Sequence, residues 1–353
     1  MIGLLAAFAA SAVLADDVPA PKKLDPKLEN LVREAVMSCK EMTLSQEDSP
    51  LSLPSDFTST MVKISSPRSV CETTVIGVKS RSGGVYVGVP WMIKEAEGKT
   101  LEEKLKNFTW TNMHTNFEPQ IDRRNPTADG LFKVTLLETT ERGKLPMEGE
   151  VDPLGNVFFL GHFRRPNDDV RAVRLKALEP FIAQAPTEGS SKPSVTVIEF
   201  SDFQCPSCQH AAGFLDPILS KYSEKVRYVR YDLPLMSVHP WAFSAAVAGR
   251  AIYRQNPTAF WAFKKQVYEN QPTLSAFMID DFARNFAKDH DLDMKKYDAD
   301  VASAEIGAEL LKAEGAAFSN DIRSTPTYLV NGRIVDAGEG GKALEEYVAG
   351  LLK

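Results

Sequence analysis

The chain has 353 residues, 43% of them hydrophobic, and its 41 Lys+Arg stand against 47 Asp+Glu for a formal net charge of −6. Such a composition supplies enough apolar residues for true cores and excludes a disordered or repetitive chain, and the length fits about two domains. The charge divides evenly between the halves, so neither offers the basic surface of a nucleic-acid binder and no nucleic-acid partner is expected.

The first fifteen residues, MIGLLAAFAASAVLA, carry no charged side chain and end in small residues ahead of Asp16 and Asp17. Such a run reads as a signal-peptide core with its cleavage site, although the usual preceding basic residues are missing. An uncleaved anchor is the alternative, but fifteen residues are short for a bilayer. No later apolar run approaches membrane-spanning length. The expectation is a mature chain of residues 16–353, periplasmic or secreted, in an oxidising compartment where a disulfide persists.

Leu24, Leu28, Leu31, Val32, Ala35 and Val36 fall at helical spacing and predict an amphipathic helix ending near Cys39. Strand-like runs follow in STMVKIS, TTVIGVKS, GGVYVGV, LFKVTLLE and NVFFLGHF, interrupted by a helix around LEEKLKNF. A further amphipathic helix is expected over residues 170–182. Residues 16–182 therefore read as an α+β domain. The stretch 183–193, AQAPTEGSSKP, has the Pro, Gly and Ser content of a linker to a second domain at 194–353.

That second domain begins with a strand at 195–200, a helix over 205–221 and a strand in VRYVRYDL. A long helical region follows over roughly 239–320. TYLV and RIVD then form a hairpin about Asn331-Gly332, the strongest short-range turn signal, and a helix at 342–352 closes the chain. The order is that of a small α/β domain.

Its chemistry is concentrated in FQCPSCQH, which sets Cys205 and Cys208 three residues apart where the first strand meets the helix. With Cys205 as the N-cap, Pro206 takes the first helical position, where its missing N–H costs nothing. A Cys205 thiolate then faces free backbone donors and the positive end of the helix dipole, conditions that lower a cysteine pKa. Cys205 is expected to be the nucleophile. Cys208, one turn on, is close enough to form and resolve a disulfide with it. Glu199 stands in the same apolar strand, where a buried carboxyl could exchange a proton with Cys208; an edge-facing or salt-bridged glutamate is the alternative. Far along the chain, Pro326 in Ser324-Thr325-Pro326-Thr327 precedes a strand, so it marks an edge or a cis turn.

VTVIEFSDFQCPSC, LPLMSVHPWAFSAAVAGRA, AFWAFKKQVYENQ and STPTYLVNGRIVDAG occur in that order, and over about 194–353 the chain resembles the DsbA-like branch of the thioredoxin superfamily. The resemblance implies a thioredoxin fold with a helical insertion. It also implies an exposed nucleophile at Cys205, a buried resolving cysteine at Cys208, a buried acid at Glu199 and a cis-proline at Pro326. Thr325 would offer its backbone to an extended substrate chain. The activity implied is thiol:disulfide exchange with protein substrates, with a redox partner in the membrane and no cofactor. Strongly oxidising members carry histidine where this chain has Ser207, and threonine before the cis-proline is common in isomerases and reductases. An intermediate reduction potential is therefore expected.

The arrangement of an N-terminal domain before a thioredoxin domain is loosely similar to disulfide isomerases of the DsbC/DsbG type, with VDPLGNVFFLGHF and the following helix in the place of their linker region. A homodimer formed through the N-terminal domain, and isomerase or reductase activity, follow as the alternative.

Cys39 and Cys71 complete an even count, best explained in an exported chain by a second, structural bridge; two free thiols are the alternative. A metal-binding module built from Cys205, Cys208, His210 and Met236 would have an incomplete zinc set, so no metal is expected. A non-catalytic adaptor of thioredoxin shape would have no need of the two cysteines, Glu199 and the Thr-Pro-Thr together. His239 is read as a helix-start or packing residue with a minor role near the cysteines, and His114, His162 and His290 as surface or satisfied interior groups. Asn107-Phe108-Thr109 has the form of a glycosylation acceptor, a short pattern that occurs by chance.

Overall fold

The structure is a computed structural model that describes residues 23–353, so the segment 1–15 read as a signal peptide lies outside the described residues. Helix α1 (Pro26–Ala35) starts at Asp25, whose carboxylate accepts from the Lys27 amide, and its apolar stripe buries Leu31 and Val32. Four antiparallel strands follow in chain order as one sheet: β1 (Thr43–Asp48), β2 (Phe57–Ser65), β3 (Thr73–Ser80) and β4 (Val85–Val87). A disulfide joins Cys39, after α1, to Cys71, just before β3, with Cα atoms 6.3 Å apart. This is the bridge expected from the cysteine count.

A second antiparallel sheet contains β5 (Trp91–Met92), β6 (Phe117–Asp122), β7 (Phe132–Thr140), β8 (Gly143–Val151) and β9 (Val157–Leu160), in the order β5-β9-β8-β7-β6. Helix α2 (Leu101–Met113) precedes β6 and opens with a capping box between Thr100 and Glu103. Helix α3 (Val170–Ile182) leads to the C-terminal half. Three strands escape the period-two pattern for identifiable reasons. β1 is polar except for Leu44, β6 contains Pro119, and β8 contains Pro146 and two glycines, so only pairing with neighbours defines them.

The C-terminal half is built on a third sheet. It comprises β10 (Thr187–Gly189), β11 (Val195–Ser201), β12 (Val226–Asp232), β13 (Thr327–Val330) and β14 (Arg333–Val335), in the order β10-β12-β11-β13-β14. β11 and β12 are parallel, connected through α4 (Pro206–Lys221), and every other pairing is antiparallel. Between β12 and β13 lie α5 (Ala242–Gln255), α6 (Pro257–Asn270), α7 (Ile279–Asp289), α8 (Met294–Ala302) and α9 (Ala304–Phe318), the helical insertion expected over 239–320. The β13–β14 turn has positive φ at both Asn331 (46°) and Gly332 (84°), as a two-residue hairpin requires. Helix α10 (Lys342–Leu351) ends the fold. The fold class is thus mixed α/β, an α+β half followed by a thioredoxin-like sheet with inserted helices. The stretch 183–193, read as a linker, contributes edge strand β10; three residues are too few to show a strand pattern.

The two halves share a core. Val134, Leu136, Leu145 and Met147 of the second sheet belong to the same buried cluster as Phe243, Ile306, Leu310 and Leu311 of the inserted helices. Helix α9 lies so close to β8 that a Cβ on Gly315 would sit 1.7 Å from the Pro146 carbonyl oxygen. The segment resembling a DsbC/DsbG linker is not a free connector: Val157–Leu160 is a strand of the second sheet, and α3 buries Arg174 completely. The Arg174 guanidinium donates to the carbonyls of Glu34 (2.8 Å), Gly332 (2.9 Å) and Asn320 (3.3 Å), binding both halves to α3.

Candidate functional site

Cys205 is the N-cap of α4, with extended φ/ψ of −70° and 119°, and Pro206 takes the first helical turn. The turn before it is set by Asp202, whose carboxylate accepts from the amides of Gln204 (2.7 Å) and Leu235 (2.9 Å) and lies 2.8 Å from Nδ1 of His239. Gln204 in turn accepts from the Trp241 amide at 2.8 Å. The strand-to-helix turn and the 235–241 loop are therefore one bonded unit. From the insertion, Gln271 donates to the carbonyls of Phe203 (2.8 Å) and Cys205 (3.2 Å).

Across from α4, the Thr325–Pro326 peptide bond is cis. The Cys205 thiol donates to the Thr325 carbonyl at 3.5 Å. Both cysteines stand as thiols; Cys208 is fully buried and Cys205 is 6% exposed. Cys205 is thus more covered than the exposed nucleophile implied by the resemblance, because the Thr325 loop closes over its sulfur. The two thiols are driven apart in acidity. A hydrogen bond from the Cys208 thiol, assisted by Thr325 and by the amides of Cys208 and Ser207, brings Cys205 down to about 5. Burial, the hydrogen bond to Cys205 and the charge of Glu199 push Cys208 well above its ordinary value.

Glu199 is 2% exposed on β11, which has β12 on one side and β13 on the other, so it is no edge residue. Ser201 donates to its Oε1 at 3.1 Å and the Tyr228 hydroxyl to its Oε2. Its hydrogen bonds come from hydroxyls, and it is close enough to act electrostatically on Cys208. The fold thus brings Cys205, Cys208, Glu199, Thr325 and Pro326 to one place, from one strand, a helix start and a loop.

Behind this constellation lies a buried polar network that the sequence pattern does not announce. Arg230, fully buried on β12, donates to Ser201 Oγ (2.6 Å) and to the Tyr268 hydroxyl (2.9 Å), and its guanidinium stands 4.0 Å from the Phe203 ring centroid. Asp232 lies 3.4 Å from Arg230 and 2.9 Å from Arg250. The available signal was the alternation Tyr228, Arg230, Asp232 on a strand whose partner carries Glu199, since a buried arginine needs acceptors.

His210 is exposed on α4, its ring packed edge-on to Phe214, and does not join the two cysteines in a metal-ligand cluster among the described residues. His114 caps α2 with positive φ, His162 bonds Glu150, and His290 stacks on Phe286. Among the described residues no helix is long and apolar enough to cross a membrane.

Residues 183–349 match the family model described as Thioredoxin. The chain is 34% identical over 145 residues to the Na(+)/H(+) antiporter NhaA 3 of Salinispora tropica, a match covering 41% of this chain and 21% of that protein. It is 26% identical over 152 residues to the probable disulfide bond formation protein D of Bacillus cereus, covering 42% of this chain and 70% of that one. A solved structure of BdbD from Bacillus subtilis is 21% identical and aligns with 48% of this chain and 94% of its own, with a TM-score of 0.43. The chain spans about a fifth of the length of the antiporter it matches. The family match and the sheet order described above agree: the segment 183–349 is similar to the thioredoxin family and has a thioredoxin-like sheet with helices inserted between its two parts.

Proposed function

We propose that the protein is a thiol:disulfide oxidoreductase that exchanges disulfides with polypeptides in an oxidising compartment outside the cytoplasm. The observation that carries this reading is the opposed acidity of two thiols one helical turn apart, Cys205 down to about 5 and Cys208 far up, beside a cis Thr325–Pro326 loop. A structural clip has no use for such a difference; an exchange centre does, because at neutral pH the acidic thiol is the one present as thiolate to attack and is also the better leaving group.

In the donating direction the pair starts as a disulfide. A substrate thiolate attacks Cys205 Sγ, the Cys205–Cys208 bond breaks, and its electron pair goes to Cys208, which takes a proton with Glu199 as the nearby carboxyl. A second substrate thiolate attacks the substrate sulfur of the mixed disulfide and expels the Cys205 thiolate, a good leaving group at about 5. The substrate dithiol is oxidised and the protein pair reduced by the same two electrons. Return to the disulfide needs an electron acceptor, in this reading a redox protein of the membrane. Thiolate pKa values in CxxC proteins run from about 3.5 in the strongly oxidising DsbA to about 7 in thioredoxin, so a value near 5 favours an intermediate potential, and the direction of exchange follows from the partners.

The test is transfer itself. The oxidised protein, mixed with a reduced two-cysteine polypeptide, should convert it to the disulfide form at equimolar ratio while Cys205 and Cys208 become alkylatable. A polypeptide that stays reduced would remove the reading.

A further inference from the structure

A cavity of about 450 Å3 opens between the β7–β8 hairpin of the N-terminal half and the 235–240 loop, α5 and α9 of the C-terminal half. Leu145, Leu235, Met236, Phe243 and Phe318 give it apolar walls, and Glu138, Glu141 and Glu314 supply carboxyls. Glu314 is 3% exposed, and its Oε2 is buried with no hydrogen-bond partner among the described residues. Burial, with repulsion from Glu138 and Asp202, pushes its carboxyl up to about 8. Burial alone also raises Glu138. An acid so placed holds its proton at neutral pH until a cation arrives to draw the proton off and pair with the carboxylate.

The cavity is linked by hydrogen bonds to the turn that carries Cys205. Its 235–240 wall is tied through the Leu235 amide and His239 to Asp202, three residues before Cys205, and Asp202 is also felt electrostatically by Glu314. One cation, Arg142, lines the cavity, but it donates to Ser244 Oγ at 3.2 Å and lies 5.8 Å from the Phe243 ring centroid. Against it stand Glu138, Glu141 and, once an arriving cation draws off its proton, Glu314. A metal ion is the poorer occupant: among the described residues these carboxyls do not converge as a ligand cluster. A long side chain with an apolar stem and a cationic head matches both the walls and the charge.

We propose that this cavity is a recognition pocket for a basic side chain, Lys or Arg, of the polypeptide whose cysteine reacts at Cys205. The proposal rests on the oxidoreductase reading and adds to it a substrate preference to which the N-terminal half contributes half of the pocket.

The experiment uses the full chain and synthetic single-cysteine peptides that carry lysine, norleucine or glutamate at one position, scanned from one to six residues on either side of the cysteine. The rate of mixed-disulfide formation with Cys205 is followed by mass, with glutathione as the small probe. At one or more positions the lysine peptide should react roughly tenfold faster than the norleucine peptide, within the reach of a charge-assisted hydrogen bond. In Glu314→Gln that ratio should fall to near one; if this variant fails to fold, Glu138→Gln carries the same comparison. Equal rates for lysine and norleucine at every position would overturn the proposal, as would a lysine preference that survives both substitutions. Glutathione separates the two levels: reaction with glutathione but no charge preference removes the pocket alone. No reaction with glutathione or any peptide removes the oxidoreductase reading, and the pocket's role with it.

Discussion

The Cys205 thiol and the Thr325 carbonyl, 120 residues apart in the chain, meet at 3.5 Å. That contact brings the helix start that activates the sulfur against the cis Thr325–Pro326 turn, and both act on one atom. An incoming thiol must therefore approach a sulfur whose position is held from two directions.

Cys205 and Cys208 should separate in a trapping experiment. Cys208→Ala leaves the nucleophile without its resolving partner and should accumulate mixed disulfides with polypeptide substrates, seen on non-reducing gels and by mass. Cys205→Ala should accumulate none. Equal trapping by both variants would contradict the assignment of the attacking sulfur.

The thiolate of reduced protein, followed by its ultraviolet absorbance, should titrate near pH 5. Because the Cys208 thiol is the largest stabilising contact, Cys208→Ala should shift that titration upward. The sign of the stability effect follows by linkage. A folded pKa depressed from about 9 to about 5 stabilises the reduced protein progressively as pH rises through 5, and this gain is lost again as pH falls through it. Cys208, raised by burial, opposes the gain only as pH approaches the ordinary thiol range. The stability difference between reduced wild type and Cys205→Ser should therefore grow from pH 5 to about 8 in denaturant titrations; a flat difference would exclude the low pKa.

Glu199→Gln keeps the shape and one of the two hydroxyl acceptors while removing the carboxyl proposed to exchange the Cys208 proton. Resolution of a preformed mixed disulfide at neutral pH should slow by roughly 10- to 100-fold, the lower part of the range for a positioned proton carrier. Stopped-flow mass or fluorescence readout of that step, with an unchanged rate, would reduce Glu199 to a structural role.

Removing the Cys39–Cys71 bridge by Cys39→Ala with Cys71→Ala should lower stability by about 3–4 kcal/mol on the loop-entropy model. Equilibrium unfolding in urea measures it. The Cys205–Cys208 pair should still equilibrate with glutathione, since the bridge lies in the N-terminal half.

Gly315→Ala tests the seam between the halves. In an isolated helix alanine is better than glycine by about 1 kcal/mol. Here the added Cβ meets the Pro146 carbonyl oxygen at 1.7 Å, a backbone atom that cannot swing away. The variant should be destabilised by about 1–3 kcal/mol or more. A stabilised variant would show that α9 and β8 do not pack as described.

The reactive pair was legible because its determinants are local: Cys205 and Cys208 at a strand-to-helix junction, Pro206 in the first turn, an Asn331-Gly332 hairpin. Each depends on neighbours within a few residues, so residue order alone specifies it. The helical character of 239–320 was likewise legible, though as one long region and not as the five helices that lie between β12 and β13. Strands β1, β6 and β8 were not, because polar residues and prolines hide a pattern that only cross-strand pairing reveals.

The residue sequence by itself therefore determined the family resemblance of the C-terminal half, the identity of the two thiols and the even cysteine count. Tertiary structure decided what long-range contact alone can decide. It seated Glu199 on a central strand under the Tyr228 and Ser201 hydroxyls, and it surrounded Arg230 with the Ser201 and Tyr268 hydroxyls and the Asp232 carboxylate, from three elements. It also pressed α9 onto β8, making one core of two halves and leaving Glu314 Oε2 buried without a partner among the described residues at the cavity between them. Burial and electrostatic partnership are properties of position in space, and residues far apart in the chain acquire them together only once the backbone has folded.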